Sequence, residues 1–184
     1  MPNETLKRDY ILSTNYSVGN GMLHLKNLEL KDFDLREKSF ISTEFKNCLF
    51  DNCDFTSSII SSCTLVDCSF KDCNFVWTKF FESDFFNVKI INCAISGVEV
   101  SDLVCKTLHF ENCNDISDLT LHGSFADRQI FFSNCYITYL NVEPIAKSYN
   151  DFFHFTDCIF TEDTLMNQNE TPGKEYNLID LRTI

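Results

Sequence analysis

The sequence predicts an all-β solenoid, and three observations carry that prediction. The first is a strict five-residue recurrence of large apolar residues: Leu25, Leu30, Leu35, Phe40, Phe45, Phe50, Phe55, Ile60, Leu65, Phe70, Phe75, Phe80, Phe85, Ile90, Ile95 and Val100. The second is a smaller residue two positions before many of these, including Thr43, Cys48, Cys53, Ser58, Cys63, Cys68, Cys73, Thr78, Ser83, Val88, Cys93 and Val98. The third is a slower recurrence of cysteine, at Cys53, Cys73, Cys93, Cys113, Cys135 and Cys158. A period of five fits neither a 3.6-residue helix nor a 2.0-residue strand sustained over this length. It fits a coil of short sides, each giving the interior one deeply buried residue and one small neighbour.

Stretches such as Cys48–Leu49–Phe50–Asp51–Asn52, Cys53–Asp54–Phe55–Thr56–Ser57 and Cys73–Asn74–Phe75–Val76–Trp77 read small–polar–Phe–polar–polar. In this the chain resembles the pentapeptide-repeat proteins, strictly over residues 25–100 and more loosely to about residue 160. The resemblance implies a right-handed quadrilateral β-helix with four pentapeptides to a coil. Its structural core would then be Phe45, Phe50, Phe55, Phe70, Phe75, Phe80 and Phe85, with Cys53, Cys73, Cys93 and Cys113 beside them.

Four sides of five residues predict a second period of 20, and the cysteines follow it from Cys53 to Cys113 before lengthening to steps of 22 and 23. Each cysteine ends a near-copy of one phrase, from Phe50-Asp-Asn-Cys53 and Phe70-Lys-Asp-Cys73 to Phe132-Ser-Asn-Cys135 and Phe155-Thr-Asp-Cys158. The coil is therefore expected to continue past residue 100, with bulges or loops inside 114–131 and 138–153. The polar column Asn52, Asp72, Asn92, Asn112, Asn134, Asp157 fits a corner, because Asn and Asp tolerate tight-turn backbone. About six to seven coils over residues 22–160 result, each rising ~4.8 Å.

Both ends of a solenoid need closure. Residues 1–21, with Tyr10, Ile11, Leu12, Tyr16 and Val18, read as an N-terminal cap. Residues 161–184 read as a polar link through Pro172-Gly173 followed by a short apolar segment, Tyr176 to Ile184. That segment, with Leu178 and Leu181, is expected to dock as a cap or across a homodimer interface. C-terminal dimerisation of several family members raises the second option.

The chain has 184 residues, enough for one domain, with 27 acids against 15 bases and a formal net charge of −12. That balance argues against direct nucleic-acid binding through a basic footprint, and against binding to an anionic membrane. There is no run of 18 apolar residues, and the start MPNETLKRDYIL lacks the apolar stretch of a secretory signal, so a cytoplasmic location is expected. The nearest cysteine spacing is C-x4-C, which does not converge on a metal as C-x2-C pairs do. Buried reduced thiols are expected, with no metal or cofactor. His109 and His154 occupy the same place in the repeated phrase, with Phe131 between them, and should face outward ~10 Å apart. No Gly-rich phosphate loop, G-x-S-x-G or H-E-x-x-H occurs, and no enzymatic activity is expected.

Function then rests on the surface. Outward positions are mostly polar, but Val66, Trp77, Phe81 and Phe86 form a candidate contact patch, and Asp51, Asp54 and Asp67 are candidate partner-binding acids. The chain resembles the quinolone-resistance (Qnr) proteins and their microcin-immunity relatives. In these an acidic rod imitates duplex DNA, binding and protecting DNA gyrase or topoisomerase IV, which confers antibiotic resistance. That resemblance implies a type II topoisomerase as partner. The alternative is an immunity or adaptor protein that neutralises a toxin, such as a nuclease. A third possibility is a structural scaffold.

Overall fold

A five-residue period closes into a coil only if the chain turns once per repeat. The computed structural model describes residues 15–16, 22–122, 129–143 and 153–161. In it every fifth residue from Asn27 to Asp102 has a positive φ, between 47° and 62°. Asn112, Asp118, Asn134 and Asp157 continue the series. L-residues adopt this left-handed conformation at a cost that Asn, Asp and Gly bear best, and these types supply most of the corners.

Between corners the chain runs in short strands. They are β1 (Asn15–Tyr16), β2 (Leu23–Lys26), β3 (Glu29–Lys31), β4 (Ser39–Ile41), β5 (Thr43–Lys46), β6 (Leu49–Asp51) and β7 (Ile59–Ser61). Next come β8 (Thr64–Val66), β9 (Ser69–Lys71), β10 (Lys79–Phe81), β11 (Asp84–Phe86), β12 (Val88–Ile91), β13 (Ala94–Ser101) and β14 (Val104–Cys105). The last are β15 (Thr107–Glu111), β16 (Asp115–His122), β17 (Gln129–Ser133), β18 (Tyr136–Ile137), β19 (Leu140–Glu143), β20 (Phe153–Thr156) and β21 (Ile159–Phe160).

Every strand pairing is parallel, to the coil below or above. The first sheet stacks β1-β4-β7-β10-β13-β16-β18-β21, with β19 also on β16. The second stacks β2-β5-β8-β11-β14, and the third β3-β6-β9-β12-β15-β17-β20. The fourth side is held by single bridges, Asp34 to Asp54, Asp54 to Asn74 and Asn74 to Ala94. The result is a four-sided β-solenoid of about six turns.

The twenty-residue register (Ile60 beside Phe80, Phe50 beside Phe70) holds until Cys113. There Asn114 enters as an extra residue, so that Ile95 pairs Ile116. A second extra residue falls before Ile130, which pairs Leu108, and the lengthening of the next coil falls between Val142 and Phe153. Residues 123–128 and 144–152, between these register steps, lie outside the described residues, as do most of residues 1–21, expected as an N-terminal cap, and residues 162–184, expected as a polar link and docking segment.

The interior is a column of rings and thiols. Phe45, Phe50, Phe55, Phe70, Phe75, Phe80 and Phe85 are each at most 4% exposed. Along the axis they stack, Phe50 on Phe70 at 4.7 Å and Phe55 on Phe75 at 5.1 Å. Across a corner they meet edge to face, as Phe70 meets Phe75 at 5.3 Å and Phe80 meets Phe85 at 5.4 Å. Both are favoured ring geometries.

The small residues have a second task. Cys53 Sγ donates to Leu30 O at 3.4 Å, Cys73 Sγ to Phe50 O at 3.5 Å and Cys93 Sγ to Phe70 O at 3.6 Å. Thr78 Oγ1 and Ser83 Oγ do the same to Phe55 O and Ile60 O. A Cys, Ser or Thr here fills little space and gives a buried carbonyl an added donor. All ten cysteines are described and all are thiols; burial pushes Cys63 up to about 11. Cys105 takes a central position beside Phe85 and is buried. Among the described residues no helix is long and apolar enough to cross a membrane, and no three His, Cys, Asp or Glu side chains cluster to hold a metal.

Candidate partner-binding surface

Outward side chains fall into columns parallel to the rod axis, because each strand repeats in register. On the second sheet Val66 and Phe86 are direct partners, both half-buried. Lys46 pairs Val66 on one side, and Lys106 follows Phe86 on the other. Phe81 lies on the first sheet, beside Ser61 and half-buried, with Lys79 Nζ 5.9 Å from its ring centre. Ile41 and Ile59 on that sheet are each 38% exposed. Trp77 stands at the corner between the fourth side and the first sheet and is 62% exposed. The four apolar candidates thus fall on two sheets and a corner: Val66 and Phe86 are together, while Phe81 and Trp77 are separated from them.

Trp77 is an unusual corner residue. Its φ of 59° costs a non-glycine residue about 1–2 kcal/mol, and its column otherwise reads Glu37, Ser57, Gly97 and Asp118. The indole lies over Gly97 of the next coil, where a Cβ would come within 2.8 Å of Trp77 Cε3. Gly97 therefore provides the space in which the ring rests. The twenty-residue spacing of Trp77 and Gly97 was present in the sequence, but only its use as a column makes the pair visible.

The candidate acids are locally engaged. Asp51 pairs with Lys31 at 3.1 Å on the third sheet. Asp54 accepts from Thr56 N at 3.0 Å and Thr56 Oγ1 at 2.5 Å. Asp67, at a corner, accepts from Asn87 Nδ2 at 2.9 Å. The third sheet is balanced by further pairs, Lys89 with Glu111 and Lys71 with Asp72.

Acids also gather on the fourth side and its two corners. Asp34, Asp54 and Asp115 stand in the fourth side's outward column. Asp32, Asp72 and Asp157 stand in one flanking corner column, Glu37 and Asp118 in the other. Among the described residues the outward positions of this side carry one base, Arg36. It forks onto Asp34 at 2.8 and 2.7 Å and reaches Asp54 at 3.7 Å. Its guanidinium hydrogen bonds hold the Asp34 carboxyl down at about 2, so Asp34 stays ionised in mild acid. Sequence reading by net charge missed these columns; reading the acids at steps of twenty would have found them.

On the third sheet His109, Phe131 and His154 stack as flat rings, at 4.7 and 4.6 Å. Burial holds the His109 imidazole below its usual value. The two imidazoles flank a phenyl ring and do not converge.

The family model of the pentapeptide repeat region matches residues 43–120. No curated protein matches the chain. Among solved structures it is similar to HetL, a pentapeptide repeat protein involved in heterocyst differentiation regulation from the cyanobacterium Nostoc sp. strain PCC 7120. The identity is 8%, over 86% of this chain and 79% of that one, with a TM-score of 0.38. It is also similar to QnrB1, a plasmid-mediated fluoroquinolone resistance protein, at 16% identity over 76% of this chain and 92% of that one, with a TM-score of 0.28. At such values these likenesses carry no argument about what this chain binds. The five-residue period, the four-sided coil and the family model agree over residues 43–120, which form a pentapeptide repeat region.

Proposed function

We propose that this protein is a non-enzymatic binding rod whose acidic side engages a basic surface of a protein partner. The observation that supports this is the gathering of Asp32, Asp34, Asp54, Asp115 and Asp118 on one side and its corners, which carry Arg36 as the one base among the described outward positions, while the third sheet holds much of its charge in pairs. Carboxylates fixed at regular rises along a stiff rod meet a groove built for phosphates with little reorganisation, and their summed field speeds encounter. The DNA-binding surface of a type II topoisomerase is such a groove, and it is the partner we assign. In a competition assay with purified gyrase or topoisomerase IV, the protein should displace a labelled duplex at low salt. Failure to displace it with the enzyme active and the rod folded would remove that partner.

A second reading has its own support in the exposure of Trp77 and the pairing of Val66 with Phe86 between lysines. An immunity or adaptor interface built on such side chains would resist salt and would be lost on removing a single ring.

A further inference from the structure

We propose that Trp77 and Asp118 form a notch for one arginine side chain of the protein partner, with the indole as the stacking face and the carboxylate as the counter-charge. This deepens the acidic-side reading and rests on it. Trp77 is the chain's single tryptophan. It is also the most bulky residue at any left-handed corner among the described residues. Its six-membered ring lies back over Gly97, with Cε3, Cζ3 and Cδ2 all near the position a Cβ would take. One face of the indole is thereby set against backbone, and with 62% of the residue exposed the ring remains open to solvent.

The column places the charge. Ser96 and Val98 of β13 pair Ser117 and Leu119 of β16, so Gly97, against which the ring rests, stands opposite Asp118. Asp118 is exposed at its own corner, φ 61°. Glu37 ends the same column two coils the other way, ~10 Å from Trp77. The neighbouring lysine does not fill the notch: Lys79 is held by Glu99 at 2.9 Å and sits over Phe81 on the adjacent sheet. Charge complementarity therefore selects a cation. A planar ring with a carboxylate one coil further along the column selects guanidinium over ammonium, since guanidinium stacks on an aromatic face while its edge donates to an oxygen.

The test uses the full-length chain with hexa-arginine and hexa-lysine peptides as probes, read by anisotropy and by the emission of Trp77. Hexa-arginine is expected to bind more tightly than hexa-lysine and to change Trp77 emission on saturation. Trp77→Asn should weaken hexa-arginine about tenfold, and hexa-lysine much less. Asn suits a left-handed corner, so this variant should melt no lower than wild type, which separates lost binding from lost folding. Asp118→Asn should weaken hexa-arginine as well. Hexa-arginine that binds Trp77→Asn as tightly as wild type, or leaves Trp77 emission unchanged, would overturn the notch while sparing the acidic side. Absence of binding by either peptide at low salt would overturn both.

Discussion

At the scale of single residues the fold depends on which side chains accept a left-handed backbone. Asn92 has φ 52° and its amide donates to the Asp72 carboxylate one coil below. Asn134 repeats the arrangement on Asn112 at 2.7 Å, and Asn52 on Asp32 at 2.7 Å. Asn92→Val should cost about 1–2 kcal/mol from the backbone alone, with a further loss of about 1 kcal/mol for the hydrogen bond. Asn92→Gly should lose little beyond the hydrogen bond. Urea denaturation of the two variants checks this, and equal midpoints would show that the corner conformation does not set the cost. The corner column was legible in the sequence, because Asn and Asp recur there every twenty residues. The donation of Cys Sγ to buried carbonyls was not, since the acceptor lies 23 residues earlier and no spacing rule for thiols points to it.

At the scale of elements, the flat ladder on the third sheet couples stability to pH. Burial favours the neutral His109 imidazole, whose folded value lies below the ordinary 6.5. Above that ordinary value both folded and unfolded chains carry it neutral, and the contribution is complete. As pH falls through it, the unfolded chain takes up the proton first, so stability declines and goes on declining until the folded imidazole is also protonated. Glu111 raises the His109 value and Lys89 lowers it, and both face the ring from the same sheet. His109→Phe should extend the stack over Phe131 and flatten the dependence of Tm on pH between neutrality and mild acid. A variant with the wild-type slope would place the titrating group elsewhere. The matching phrases around His109 and His154 foretold a shared column with Phe131 between them. They did not foretell ring-on-ring stacking, which follows from in-register pairing of β15, β17 and β20.

At the scale of the whole molecule, a strict period makes both the interior and the exterior regular. The alternation of inward and outward positions and the insertion after Cys113 were readable from spacing, while the four-sided coil came from the family resemblance, with which the twenty-residue cysteine period agreed. Which side carries the charge was not readable from totals. Val66 with Phe86, Phe81, and Trp77 look contiguous along the chain, yet the corners at Glu82 and Trp77 turn them onto different sides. Local sequence proximity misleads in a solenoid because five residues rotate the chain by one side, whereas twenty bring it back.

The most direct test is the salt dependence of binding to the purified topoisomerase for wild type and for a rod carrying Asp34→Asn, Asp72→Asn, Asp115→Asn and Asp118→Asn. Exposed charges separated by more than a Debye length of about 8 Å are screened at physiological salt, so a charge-led interface weakens steeply as salt rises. The account predicts a steep loss for wild type and, for the neutralised rod, weaker binding at low salt with a shallower slope. Equal affinities and equal slopes for the two proteins would contradict it.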